Sequence, residues 1–142
     1  MDRIVADASV IVKLFLQEEY SEKAYALRDS YISEGVELIE PILLQYEVLS
    51  ALRFSKSEKV TEEDMKEAME AVENYNLKMV PPNKEIMEKA LSYSLKYGTS
   101  IYDSIYVAVA DAYKATLYTA DSHLVEIKKP FVKHIKDYKQ HV

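Results

Sequence analysis

"SIYDSIYVAVADAYKATLYTAD", residues 100–121, places a core helix directly before a short strand, with Asp103 opening the first and Asp121 closing the second. The run IYVAVA (105–110) is apolar nearly all round, the pattern of a helix buried on every side. TLYT (116–119) is a strand of buried type. A carboxylate next to buried surface is costly unless something compensates it, so these two aspartates call for an explanation.

The rest of the chain repeats the alternation. RIVA (3–6), VELIE (36–40), LKMV (77–80) and FVKHI (131–135) are further short strands. Helical patterns lie between them. SVIVKLFL begins a helix or helical turn, and residues 21–35 form an amphipathic helix stopped by Gly35. Pro41 suits the first helical position of PILLQYEVLSALRFSKSE. Thr61 and Asp64 form a capping-box pair before a helix with Met65, Ala68, Met69 and Val72 on one face. Asn83 caps a helix through Tyr97, and a last long helix runs from Asp103 to Lys114. Short apolar strands alternating with helices predict an α/β fold in which a parallel sheet is flanked by helices. Residues 1–142 form a single domain, with no repeat or linker.

Composition narrows the chemistry. There are no cysteines, which excludes disulfides, thiolate zinc sites and cysteine nucleophiles. Two glycines, Gly35 and Gly98, leave no phosphate-cradling loop of the Walker or dinucleotide type. Charged residues interrupt every apolar block, so no membrane span is expected, and MDRIVADASV lacks a signal-peptide pattern. The expectation is a cytoplasmic protein. Net charge is −6, the wrong sign for binding nucleic acid through a broad basic face. A nucleic-acid partner would therefore need a cation.

Four carboxylates stand in unusual places. Asp7 follows the first strand and Asp121 follows TLYT; in an open parallel sheet, sites form beyond the carboxyl ends of strands. Each is equally suited to cap the next helix or turn. Asp103 opens a helix that should be deeply buried, where a cap favoured by the helix dipole is the ordinary reading. Glu47 lies in mid-helix, where capping cannot explain it. Leu43 and Leu44 lie one turn before, Ala51 one turn after and Phe54 two turns after, so Glu47 is expected on the apolar stripe. The alternatives for Glu47 are an exposed edge of that stripe or a buried ion pair. If the four converge, their repulsion is large: unit charges about 4 Å apart interact by about 4 kcal/mol at an effective dielectric of 20. Mg2+ or Mn2+, which prefer carboxylate oxygens and water, would offset it.

At these residues the chain resembles the PIN-domain family of metal-dependent ribonucleases, over essentially its whole length. IVADASVIVKLFL is similar to the family's first strand, with Asp7 at the first acidic position and Ser9 at the hydroxyl two residues on. PILLQYEVLSAL is similar to the helix bearing the family's glutamate, here Glu47. YDSIYVAVADAY matches the third acidic motif at Asp103, and LYTADSHL the fourth at Thr119 and Asp121. The single-domain length is similar to that of VapC-type toxins of toxin–antitoxin pairs. The resemblance implies a three-layer α/β/α domain with a short central parallel sheet. It also implies one or two Mg2+ or Mn2+ ions on Asp7, Glu47, Asp103 and Asp121, with Ser9 and Thr119 as supporting hydroxyls. The implied activity is endoribonucleolytic, leaving a 5′-phosphate and a 3′-hydroxyl. A cognate antitoxin and a homodimer are the implied protein partners.

Single-stranded or looped RNA is the substrate form whose backbone enters a narrow acidic cleft. Lys13, Arg53 and Lys56 are candidate guides for it, against the ordinary reading of surface solubility. Some of the twelve tyrosines are candidates for base stacking, although core and interface roles suit most of them. Asp111, two turns beyond Asp103, suits a solvated helix surface, and Glu126 receives no role. His123, His134 and His141 have no zinc spacing; His123, near Asp121, reads as an exposed turn residue. Two other functions compete: an RNA-processing PIN nuclease without an antitoxin, and a non-catalytic RNA- or protein-binding scaffold.

Overall fold

A computed structural model describes residues 1–140; His141 lies outside the described residues. The order is β1 (Asp2–Ala6), α1 (Ala8–Ile11) running into a 3-10 turn (Val12–Leu14), α2 (Ser21–Ile32), β2 (Val36–Pro41), α3 (Leu43–Arg53) and α4 (Glu62–Asn74). There follow β3 (Lys78–Val80), α5 (Lys84–Tyr97), α6 (Ile101–Tyr113), β4 (Thr116–Thr119), α7 (Ser122–Val125), β5 (Val132–His134) and a 3-10 turn (Ile135–Asp137).

The five strands form a sheet in the order β3-β2-β1-β4-β5, and every pairing is parallel. β1 is central. The chain builds outward from it on one side through β2 and β3, then returns to its other side for β4 and β5. The carboxyl ends of β1 and β4 are thus a topological switch point, where open α/β sheets form their ligand crevices. Helices flank the sheet. α6 contacts β1, β2 and β4, and α5 packs outside it. Ser104 and Tyr106 through Ala110 of α6 are all buried, as expected of a helix apolar on every side.

The local signals mostly act as read. Thr61 and Asp64 make both capping-box bonds, at 3.1 and 2.9 Å. Asn83 caps α5 by accepting from Ile86 N–H at 2.9 Å, and Gly98 ends it with φ at +71°. Three details differ. The left-handed residue after α2 is Glu34 (φ 64°), not Gly35; Gly35 instead donates its N–H to Ser30 O at 2.7 Å, one residue beyond the turn. Pro41 ends β2 opposite Val80 rather than starting a helix, and α3 begins at Leu43. The β1–β2 ladder has stopped at Leu38, so the amide hydrogen that proline lacks is not needed there. Met69 is half-exposed, leaving Ala68 and Val72 as the buried positions of α4.

No helix among the described residues is long and apolar enough to cross a membrane.

Candidate active site

Asp7 lies one residue beyond β1 and Asp121 two residues beyond the neighbouring β4, so the sheet itself brings them together. Both also cap: Asp7 accepts from Ser9 N–H at 3.1 Å, and Asp121 from His123 N–H at 2.9 Å. Capping and site-forming are one arrangement here. The cap fixes each carboxylate at a strand's carboxyl end, facing the switch point.

Asp103 reaches the same place from α6. It occupies the third helical position, and Ser100 is the cap, accepting from Asp103 N–H at 3.0 Å. Glu47 arrives from α3. The buried row of that helix is Leu44, Val48 and Leu52; Glu47 flanks it in the row with half-buried Leu43 and Ala51. The expectation that Glu47 sits on the stripe is therefore corrected to the stripe's edge, and Phe54 is 68% exposed beneath the Arg53 guanidinium.

Asp7, Glu47, Asp103 and Asp121 line one cavity of about 360 Å³, together with Ser9, Ser50 and Tyr106. Asp7 is the most buried of them, at 5% exposure. Burial pushes its carboxyl up to about 6, assisted by repulsion from Asp103 and opposed by hydrogen bonds from Ser9 and Thr119. Asp103 is raised by burial and by the Asp121 charge. Glu47 is raised by burial and by Asp103, while the neighbouring Tyr106 hydroxyl eases its ionisation. Among the described residues, no lysine or arginine forms an ion pair with any of these four acids.

Two hydroxyls tie the strand ends together. Ser9 Oγ donates to Asp7 Oδ1 and accepts from Ala120 N–H at 2.9 Å. Thr119 Oγ1 accepts from Asp121 N–H at 3.0 Å and lies 3.5 Å from Ser9 Oγ. The connection runs from Asp7 through Ser9 to Thr119 and the backbone of Asp121.

Behind Asp7 lies a residue that the sequence pattern did not single out. Glu40, in β2, is fully buried. Its Oε2 accepts from Ala6 N–H at 2.9 Å, and its Oε1 has no hydrogen-bond partner among the described residues. Burial holds it well above the usual carboxylate range, and the charge of Asp7 adds to this. The available signal was its position: a strand beside the centre of a parallel sheet is buried on both faces, so a glutamate there has no water to face.

The remaining candidates fall elsewhere. Asp111 is held by Tyr93, whose hydroxyl donates to Oδ2 at 2.8 Å, and by Lys89 at 3.5 Å; it is not on a freely solvated face. Lys13 is 7% exposed and paired with Glu18 at 3.4 Å, so burial removes it from any role as a surface guide. Arg53 and Lys56 are exposed. His123 is exposed beside Asp121, 3.6 Å from Glu126. His134 accepts from Lys136 N–H at 3.0 Å, a turn contact.

The donor set suits a hard divalent cation: only oxygens, uncompensated, around one open cavity. Among the described residues no three acids draw close enough to make a ready-built cage. An ion held here would keep water ligands, as Mg2+ commonly does.

Comparison with known proteins agrees with this architecture. The PIN domain family model matches residues 4–130. The chain is 31% identical over 126 residues to ribonuclease VapC3 of Pyrobaculum aerophilum, covering 87% of this chain and 93% of that protein. It is 31% identical over 125 residues to ribonuclease VapC1 of Mycobacterium tuberculosis, covering 87% and 90%. A toxin–antitoxin complex from Klebsiella pneumoniae contains a chain of the same fold, with a TM-score of 0.68 at 15% identity over 93% of this chain and 97% of that one. With a parallel sheet whose switch point gathers these acids, and with matches spanning nearly its whole length, the chain belongs to the PIN-domain family.

Proposed function

We propose that this protein is a divalent-metal-dependent endoribonuclease, the toxin of a toxin–antitoxin pair. The observation that carries the reading is the group of uncompensated acids around one cavity at the sheet's switch point. The ribonuclease names of two relatives and the toxin–antitoxin complex among the structural neighbours support it.

In this reading Asp7, Glu47, Asp103 and Asp121 hold one or two Mg2+ or Mn2+ ions. Such an ion, when bound, supplies positive charge for a phosphate oxygen and lowers the pKa of a water. The chain's own groups do the rest. Ser9 holds Asp7 in one rotamer and, through Ala120, keeps the loop after β4 in register. Thr119 holds the backbone of Asp121. Tyr106 lines the cavity beside Glu47. The cavity admits a flexible single strand more readily than a stiff duplex.

A cognate antitoxin and a second copy of the chain are the proposed protein partners. Large apolar residues are exposed in two places that such partners would cover: Leu91 and Leu95 on α5 with Tyr102 on α6, and Tyr46, Phe54 and Met69 on α3, its cap and α4. A small antitoxin gene immediately upstream separates the toxin reading from an RNA-processing nuclease.

The test is cleavage of single-stranded RNA by purified protein with Mg2+ or Mn2+. Activity is expected with the ion, none after chelation, and none in Asp7→Asn or Asp103→Asn variants that remain folded. Full activity in either folded variant refutes the catalytic assignment. No ion binding by the wild-type protein favours the scaffold.

A further inference from the structure

The acidic cavity does not end at its acids. Asp103 and Asp121 are also a wall of a second hollow, of about 570 Å³, over the corner between α5 and α6. Tyr97 closes the far side of that hollow and is shared in turn with a third, of about 490 Å³, along α5. Asp103 and Asp121 line both of the first two and Tyr97 both of the last two, so a row of adjoining hollows, an interrupted groove, leads from the acids past Gly98–Ser100 to α5.

The far end of this groove has a distinct chemistry. Tyr93 and Tyr97 stand one helical turn apart with their rings nearly parallel, centroids 6.1 Å apart at 23°. Lys96 Nζ lies 5.3 Å from the Tyr97 ring centre and Lys129 Nζ 5.8 Å from that of Tyr93. Tyr93 is locked in place by its 2.8 Å bond to Asp111, and Lys89 neutralises that carboxylate from 3.5 Å. Glu85 and Glu88 edge the outer rim, and Glu88 is paired with Lys84 at 3.9 Å. In a chain of net charge −6, ammonium groups are thus gathered beside a fixed aromatic pair.

The geometry points to a subsite for single-stranded RNA at Tyr93, Tyr97, Lys96 and Lys129, engaging the strand a few nucleotides away from the scissile phosphate. This rests on the nuclease reading above and adds where the substrate is gripped. Flat aromatic faces with adjacent cations bind unpaired bases and backbone together, with little preference for base identity. The reach is appropriate: Asp103 and Asp111 are eight residues apart on α6, about 12 Å along its axis. Two functions that conflict electrostatically are thereby separated. Acids hold the ion at one end, and lysines hold phosphates at the other.

The experiment is steady-state cleavage of a single-stranded RNA of about twelve nucleotides by wild-type protein and by the Tyr97→Ala, Tyr97→Phe and Lys129→Gln variants. Circular dichroism checks the fold of each. Loss of one stacked base predicts a rise in KM of about tenfold for Tyr97→Ala, with kcat retained. Tyr97→Phe, which keeps the face and loses only the hydroxyl, restores wild-type KM. Lys129→Gln, outside the helix, raises KM and weakens its salt dependence. The penalty shrinks as the substrate is shortened. An active wild-type protein whose folded Tyr97→Ala and Lys129→Gln variants keep wild-type KM overturns the subsite and leaves the nuclease reading standing. A wild-type protein that cleaves no RNA with either ion overturns the nuclease reading itself, and the subsite with it.

Discussion

Asp7 is held at the cost of its own charge. Folded, its carboxyl titrates at about 6 rather than 3.8, so between those pH values the native chain keeps a proton that the unfolded chain releases. Raising the pH through that window therefore removes stability, by up to about 3 kcal/mol at 1.36 kcal/mol per pH unit. Asp103 and Glu47 are shifted in the same direction. Ion-free protein should then resist urea better at pH 5 than at pH 7.5, and Asp7→Asn should flatten that difference while raising stability at the higher pH. A steeper loss in the variant would contradict the cost of burying the Asp7 charge, and the smaller repulsion from Asp103, described here. Glu40 gives a second test at this scale. Burial, with the charge of Asp7, disfavours its ionised form, and the neutral Gln preserves both its shape and an acceptor for Ala6 N–H. Glu40→Gln should unfold within about 1 kcal/mol of wild type, whereas Glu40→Ala, which leaves a cavity and an orphaned buried amide, should lose about 2–5 kcal/mol. Equal losses in the two variants would show that the hydrogen bond to Ala6 does not matter.

Among the elements, α6 carries the most constraint. Its middle, Ser104 and Tyr106 to Ala110, is buried; it contacts the three central strands and delivers Asp103 from its first turn. Ala108 and Ala110 are fully buried, so the helix approaches its neighbours with no room for larger side chains. Ala108→Leu should cost about 1–3 kcal/mol by overpacking and, because Asp103 rides on the same helix, should lower cleavage as well. Thermal unfolding and the cleavage assay together check this. α4 packs on α3 but contributes no residue to the lining of the acidic cavity: losing the Thr61 cap by Thr61→Ala should cost about 1 kcal/mol without changing cleavage. Elements with strong local signals were legible from sequence to within a residue or two. α5 and β4 match at both ends, because Asn83, Gly98 and the TLYT run act locally. Pro41 and Gly35 departed from expectation because neighbouring strands and the register of a helix end decided their conformations.

For the whole molecule, the consequence is linkage between ion and fold. An ion held by the four acids, as proposed above, would bind the native state alone and so stabilise it. Mn2+ should raise the melting temperature of the wild-type protein by several degrees at pH 7.5 and by less at pH 5, where Asp7 is protonated and competes with the metal. Asp103→Asn should show little shift at either pH. An equal shift in wild type and variant would place the ion elsewhere.

The succession of strands and helices along the chain, the buried character of α6 and the caps at Thr61, Asn83 and Gly98 were readable from the sequence, because each follows from local pattern or from residues standing at element ends. Convergence was not. That Asp7 and Asp121 line one cavity depends on β4 returning to the free side of β1, a choice made by packing across distant parts of the chain. The burial of Glu40 and Lys13, the placing of Glu47 beside the apolar row instead of within it, and the capture of Asp111 by Tyr93 have the same origin. A side chain's solvent and partners are set by neighbours far away in sequence, and periodicity along one helix or strand carries no record of them.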